Sequence, residues 1–136
     1  MSCKRSNKEL IEPLINVVFN NHDLSILDEI MRDDYIQHNE EAAQGKAGFI
    51  EFFTQTFKAI PDFKYHTLKI VADGDIVMTF NRNTGTHIGG EWIGQPPSGN
   101  NLDFDVVDIF RIEDGLIAEH WDVADTYRLF KQVGRI

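Results

Sequence analysis

The chain changes its hydrophobic period once, at about Pro61. Before this residue, apolar side chains recur at every third or fourth position, which is the spacing of one face of a helix. After it, apolar and polar side chains alternate, which is the spacing of a strand. Helices followed by a largely antiparallel sheet are typical of the α+β class, in contrast to an alternating series of βαβ units. We therefore expect an α+β fold.

Three helices are predicted before Pro61. The first begins with Ser6 and Glu9, which have the spacing of a capping box, and its apolar stripe extends to Val18. Pro13 interrupts the stripe, and it either kinks this helix or occupies the first turn of a helix that starts later. The second helix is expected at 24–31, with Asp23 as its N-cap, and the third at 46–59.

Strand patterns fill the second part of the chain. Four strands are expected, at 63–72, 76–87, 102–112 and 116–123, after an extended segment at 34–39. The pairs Asp73-Gly74 and Asp114-Gly115 are typical of tight hairpin turns. A short closing helix or tail is expected at 125–132.

Composition narrows the function classes. The 136 residues suit one domain, and the net charge of −9 has the wrong sign for binding nucleic acid. The apolar runs fall far short of the ~20 residues that a membrane helix needs. The start of the chain has charges without an apolar stretch after them, so we expect a cytoplasmic protein rather than a secreted one. Cys3 is the one cysteine, which excludes an intrachain disulfide.

Ionisable side chains lie within strands that otherwise look buried. In strand 102–112 one face is apolar except for Asp108, which should therefore have a partner or open into a polar pocket. Strand 116–123 carries Glu119, His120, Trp121 and Asp122 in succession. These residues are the candidates for chemistry.

The register of the last hairpin decides which of these side chains meet. A two-residue turn at Asp114-Gly115 sets Asp108 opposite Trp121 and leaves His120 and Asp122 on the other face. A β-bulge would move Asp122 to the side of Asp108. Both registers stay open, and we expect His120 at the surface or at a dimer face.

No sequence motif for a metal site is present. Neither H-x-x-x-H nor paired cysteines occur, and the candidate ligands lie on separate elements. We therefore expect no metal.

Three segments carry a resemblance to a known family. The ending FRIEDGLIAEHWDVAD, the earlier DYIQHN and the stretch TGTHIGGEWIGQPPSG together resemble the SnoaL-like polyketide cyclases of the nuclear transport factor 2-like superfamily. The likeness spans nearly the whole chain and implies a cone-shaped half-barrel, in which N-terminal helices pack on a curved sheet around an apolar cavity. It also implies homodimers that form through the outer face of the sheet. Glu40 departs from the pattern, since many relatives have proline there.

The same resemblance implies a chemistry. Such cyclases close a ring by intramolecular aldol condensation without a cofactor, and their acid/base aspartate on the final strand matches Asp122. Asp108 matches a second polar position of the pocket, and His38 and Asn39 lie on the first strand, where the family also has pocket residues. A carboxylate in an apolar cavity suits this chemistry, because desolvation raises its pKa toward the working pH.

We interpret these positions as one site for a small hydrophobic or polyketide-like molecule, in a cofactor-independent cyclase or isomerase that works by general acid/base catalysis. The candidate catalytic residues are Asp122, Asp108 and His38. The candidate substrate contacts are His87 and Asn39 as hydrogen-bonding groups, and Trp121, Trp92 and Phe53 as walls.

Each assignment has a structural alternative. Asp122 pairs with Arg111 or Arg128 in that reading, Asp108 pairs with a histidine, and the stripe that contains Phe53 is simply core. Two other functions remain open: a non-catalytic ligand-binding or assembly protein, and addition or removal of water as in epoxide hydrolases and dehydratases. Addition or removal of water often needs an arginine in the pocket. Arg111 is expected on the face opposite Asp108, which weakens that alternative.

Overall fold

The computed structural model describes residues 6–136, so Cys3 lies outside the described residues. The helices are α1 (Asn7–Pro13), which continues as a π-helical segment (Leu14–Phe19), α2 (Leu27–Ile30), α3 (Gly45–Ala59) and α4 (Thr126–Val133). The strands are β1 (Met31–Gln37), β2 (Lys64–Asp73), β3 (Ile76–Thr86), β4 (Asn101–Glu113) and β5 (Leu116–Ala124). Within residues 6–136, no helix has both the length and the apolar character needed to cross a membrane.

The predicted elements are present, and the largest differences in their bounds are near α2. This helix was expected from residue 24, but it begins at Leu27 and gives way to β1 at Met31. Asp23 does not cap it, because its carboxylate accepts a hydrogen bond from the backbone N–H of Ser25 (2.9 Å) in the preceding turn. Local side-chain bonding of this kind competes with a helix start.

The first helix begins as predicted and changes its winding at Pro13. Ser6 Oγ accepts a hydrogen bond from the Glu9 backbone N–H (3.2 Å) and donates one to the Glu9 carboxylate (3.0 Å). Proline has no N–H to donate to the preceding turn. The chain continues past Pro13 with wider turns, in which the Asn20 N–H donates to the carbonyl of Ile15 at 3.0 Å. Pro13 therefore marks the change from α- to π-helical winding rather than a break.

The sheet is mixed and not closed. Its strand order is β1-β5-β4-β3-β2, with β1 parallel to β5 and the other neighbours antiparallel. The helices pack on one face, which buries the apolar stripes of both layers. This arrangement confirms the predicted α+β cone fold with a largely antiparallel sheet.

The last hairpin contains the feature that sets the site. The turn follows the prediction, because Asp114 and Gly115 both have positive φ (54° and 74°) and Ile112 lies opposite Ile117. The next pair is Arg111 with Glu119, so Ala118 of β5 is an extra residue without a partner on β4, and the register shifts there. This is a β-bulge, which moves all following side chains of β5 to the other face.

The bulge decides between the two registers that the sequence left open. Beyond it, Phe110 lies opposite His120 and Asp108 lies opposite Asp122. The bulge-free register, with Asp108 opposite Trp121, is therefore wrong. Because side chains two residues apart share a face, His120 and Asp122 both turn to the inner face.

Candidate active site

A cavity of about 350 Å³ lies between the inner face of the sheet and the helices. Most of its apolar wall is aromatic and includes Phe49, Phe53, Tyr65, Trp92, Phe104 and Phe110. Its polar lining includes Gln37, Asn39, Asn83, Asp108, His120 and Asp122. The interior is therefore an apolar chamber with a few convergent polar groups, which is the usual character of a small-molecule site.

Asp108 and His120 form a buried pair at the base of this polar group. Their side chains are 3% and 9% exposed, and His120 Nε2 lies 2.7 Å from Asp108 Oδ1. The second carboxylate oxygen of Asp108 accepts a hydrogen bond from Asn81 Nδ2 at 3.0 Å. Asn81 is held in turn by the Thr67 hydroxyl, which donates to its Oδ1 at 2.8 Å. Asp108 thus has the partner that its place on an apolar strand face predicted.

The hydrogen bonds of Gln37 fix the protonation of the His120 ring. Gln37 Oε1 accepts the backbone N–H of Asn39 (3.0 Å), so this atom is an acceptor. His120 Nδ1 lies 2.7 Å from the same oxygen and must therefore carry a proton and donate it. The other ring nitrogen faces a carboxylate oxygen of Asp108. Both ring nitrogens of His120 are therefore engaged by buried polar partners.

Asp122 stands beside this pair without joining it. Its Oδ2 accepts a hydrogen bond from Asn39 Nδ2 at 2.8 Å and lies 3.9 Å from His120 Nε2. Burial raises the pKa of Asp122 above the usual aspartate value, although the Asn39 hydrogen bond and His120 lower it in part. The repulsion of Asp108 adds to the rise. Asp122 is therefore a half-buried carboxylate of raised pKa within an aromatic chamber.

His38 and Trp121 do not join this group. Gln37 is buried, whereas the next side chain, His38, is half exposed and its Nε2 lies 2.7 Å from Glu119 Oε2. Its ring stacks on Trp121 with a centroid distance of 4.9 Å. His38 therefore contributes to the cavity lining but forms its side-chain hydrogen bond with Glu119 rather than with the aspartates, whereas Trp121 lies outside the lining. The bulge is the reason, because it turns Trp121 outward as it turns Asp122 inward.

Arg111 pairs with a carboxylate on the outer face rather than with Asp122. Arg111 Nε donates to Glu119 Oε1 at 2.8 Å. The hydrogen bonds from His38 and Arg111 lower the pKa of Glu119. The alternative in which Arg111 neutralises Asp122 is therefore wrong.

The remaining predicted contacts divide between wall and support. Trp92 and Phe53 line the cavity, and Trp92 Nε1 donates to the Thr56 hydroxyl at 2.8 Å. His87 is fully buried outside the lining, where its Nε2 donates to the carbonyl of Gly90 (2.7 Å) and its ring meets Trp92 edge-on. The structure thus places His87 as a support of the loop that carries Trp92. Asn39 lines the cavity while it holds Asp122.

The comparisons with known proteins identify the family of the chain. The model of the SnoaL-like polyketide cyclase family matches residues 9–133. The chain belongs to this family.

Solved structures of similar chains show the same fold. TsrD from Streptomyces laurentii is 27% identical, with a TM-score of 0.86 over 99% of this chain and 100% of TsrD. AclR, a proposed hydroxylase from Streptomyces galilaeus, is 28% identical with a TM-score of 0.81 over 96% of each chain. IdmH, a proposed polyketide cyclase from Streptomyces antibioticus, is 28% identical with a TM-score of 0.77 over 96% of this chain and 99% of IdmH. The comparison with curated proteins gives no match.

Several site residues of this SnoaL-like chain escaped the sequence reasoning. His120 was expected at the surface, yet it shares the inner face with Asp122 because the two are separated by one residue. Gln37, Asn81 and Asn83 were not singled out. The sequence contained a signal for Asn81 and Asn83, since polar residues occupy alternate positions of this strand from Thr79 onward. In the structure all three side chains are buried.

The cluster also bears on the expectation of no metal, which was based on missing motifs and on candidate ligands that lie on separate elements. Ligand atoms of Asp108, His120 and Asp122 lie within 4.8 Å of one another. Both ring nitrogens of His120 are already engaged, with Gln37 and with Asp108. A cation bound by His120 would therefore have to replace a buried hydrogen bond, whereas proton transfer can use the group as it stands.

Proposed function

We propose that this SnoaL-like chain closes a ring in a small polyketide-like molecule by intramolecular aldol condensation, with Asp122 as the acid/base. The observation that carries the proposal is the position of Asp122, a carboxylate of raised pKa that faces an aromatic cavity beside the Asp108–His120 pair. Membership of the SnoaL-like polyketide cyclase family supports the same substrate class.

The proposed step balances within the substrate and one carboxylate. Ionised Asp122 removes a proton from a carbon next to a carbonyl group, and the resulting enolate attacks a second carbonyl carbon of the same molecule. A carbon–carbon bond forms, and the attacked oxygen becomes an alkoxide that takes the proton back from Asp122. No redox or group-transfer cofactor enters this balance, in keeping with the family resemblance.

The surrounding residues have distinct parts in this proposal. Asn39 orients Asp122 through its 2.8 Å hydrogen bond, and it leaves the other carboxylate oxygen free of that contact. The edge of the His120 ring, whose Nε2 lies 3.9 Å from Asp122 Oδ2, adds a polar group to the region where the enolate and alkoxide form. The aromatic walls exclude water and fold the flexible substrate so that its two reacting carbons meet.

The direct test is Asp122→Asn, assayed by chromatography and mass spectrometry on a polyketide β-keto ester that the wild-type chain cyclises. We expect turnover to fall by about 100-fold or more, the usual contribution of a general base. The matched control is Asp105→Asn, which removes a carboxylate from β4 on the outer face, where Asp105 lies near Arg82. Unchanged turnover in Asp122→Asn would reject Asp122 as the proton-transfer group.

The two alternative functions find less support in this cavity. Within residues 6–136 no arginine lines it, since Arg82 and Arg111 pair with carboxylates on the outer face. Water addition of the epoxide-hydrolase type therefore lacks its frequent partner. A purely ligand-binding protein has little use for two inward carboxylates. AclR, a proposed hydroxylase, indicates that this fold supports more than one chemistry, so the assignment depends on the residues of this chain.

We also propose that the chain forms a homodimer through the outer face of the sheet. Two cross-strand rows of this face are mostly apolar: Val71, Met78, Ile109 and Trp121 in one, and Lys69, Phe80, Val107 and Val123 in the other. Val71 and Val123 are 61% and 69% exposed. Charges of both signs flank these rows, in Arg111–Glu119 and Arg82–Asp105. A second copy related by a two-fold axis would cover the apolar rows and offer each charge an opposite one.

The cytoplasmic location and the lack of a nucleic-acid partner stay predictions.

A further inference from the structure

Asn83 has an unused hydrogen-bond acceptor at the cavity wall. The residue lies on the inner face of β3, is 4% exposed and lines the cavity. Its Oδ1 is buried and has no hydrogen-bond partner within residues 6–136. A buried carbonyl oxygen without a partner destabilises a fold, because it has lost the water that it bound in the unfolded chain. Such an atom in a cavity wall indicates a group that binds a ligand.

The neighbours of Asn83 leave this oxygen free for a ligand. Tyr65 of β2 and Phe104 of β4 lie opposite Asn83 on either side, so it is the polar residue between two aromatic ones. Its carbonyl oxygen stays unpaired beside these aromatic neighbours. A flat molecule held between the two rings would therefore meet an unpaired acceptor there.

The position of Asn83 relative to Asp108 defines a second anchor point. Asn81, two residues away on the same strand face, donates to Asp108. The rise of a strand places the Cα of Asn83 roughly 7 Å further along β3 than that of Asn81. A ligand that extends from the carboxylate cluster along the inner face of β3 thus reaches the Asn83 carbonyl with a different part of its skeleton.

We propose that Asn83 is a substrate-binding residue that accepts a hydrogen bond from a hydroxyl or enol group of an aromatic or polyketide-like ring. It selects hydroxylated molecules against those in which the same oxygen is methylated, because an ether has no proton to donate. The identity of the substrate class rests on the proposed function. The binding preference itself does not depend on any catalytic step.

The test compares two small probes, 1-naphthol and 1-methoxynaphthalene, by isothermal titration calorimetry. We expect wild-type protein to bind 1-naphthol about five- to tenfold more tightly, which is the effect of one neutral hydrogen bond. In Asn83→Leu this preference should disappear while the affinity for 1-methoxynaphthalene is kept. A wild type without preference, or one that binds neither probe, overturns the proposal, as does a preference that persists in Asn83→Leu.

Asp122→Asn separates this proposal from the proposed function. It should keep the preference for 1-naphthol, and its loss would assign the preference to Asp122 and overturn the role of Asn83. Normal turnover in Asp122→Asn would instead refute the cyclase mechanism and leave the probe preference as it is. If Asn83→Leu does not fold, a crystal structure of wild type with 1-naphthol decides. Its oxygen should lie about 3 Å from Asn83 Oδ1, and a position against another polar group overturns the proposal.

Discussion

Asp108 and Asp122 lie directly opposite each other on β4 and β5, because β5 contains one residue more than its partner. Without this extra residue, Ala118, the two-residue turn would set Asp108 opposite Trp121. The bulge therefore exchanges the faces of four consecutive chemistry-bearing side chains. Asp122 and His120 enter the cavity, whereas Glu119 and Trp121 go to the outer face.

Deletion of Ala118 should abolish the site. The shortened strand would turn Glu119 and Trp121 inward and His120 and Asp122 outward, so cyclisation should fall by about 100-fold or more. The control is Ala118→Gly, which keeps the residue count and hence the bulge. Turnover and the midpoint of thermal unfolding measure the effect. A deletion variant that cyclises as fast as wild type would contradict the proposed role of the bulge.

Asp122→Asn should make the protein more stable at neutral pH. The pKa of Asp122 is raised in the folded state by burial, so its ionisation favours the unfolded chain. Wild type therefore loses stability as pH rises from about 4, the ordinary aspartate pKa, through the higher folded-state value. The asparagine variant has no such loss. The difference in unfolding free energy, measured in urea between pH 4 and 8, should grow with pH and then level off. A constant difference would mean that the pKa of Asp122 is not raised.

His120 and His38 should respond very differently to replacement by glutamine. His120→Gln leaves buried Asp108 without its histidine partner, and loss of one member of a buried pair typically costs about 3–5 kcal/mol. His38→Gln alters an outer-face pair whose histidine is 42% exposed, which is worth about 1 kcal/mol or less. Urea denaturation and turnover measure both variants. Equal losses of stability and activity would show that the two faces have been assigned incorrectly.

Val123→Glu should dissociate the proposed homodimer. Val123 is 69% exposed in the single chain, so the substitution spares the core but places a charge within one of the apolar rows. Ile88→Glu is the matched control, since Ile88 is 60% exposed and lies in the loop after β3 rather than in the outer rows. Sedimentation equilibrium should give a monomer for the first variant and a dimer for wild type and the second. A monomeric wild type would refute the dimer.

Much of the fold was available from local sequence, because its determinants are local. Ser6 and Glu9 start a helix through contacts within one turn, and Asp114-Gly115 forms its hairpin through the φ angles of two residues. The parallel pairing of β1 with β5 was not available in this way. Nothing within either strand specifies a partner more than 80 positions away in the chain.

The candidate site divides along the same line. The sequence by itself determined that Asp108 interrupts an apolar strand face and must find a partner, because an unpaired buried charge is too costly to persist. It also determined the family and the type of fold. Only the tertiary structure decided that this partner is His120 rather than His38, and that Asn83 keeps an unpaired acceptor. The physical reason is that successive side chains of a strand always alternate between its two faces, but the local sequence does not decide which set faces the cavity. One bulge residue exchanges the two sets. Whether the bulge forms depends on how well each face of β5 packs and pairs with the rest of the molecule.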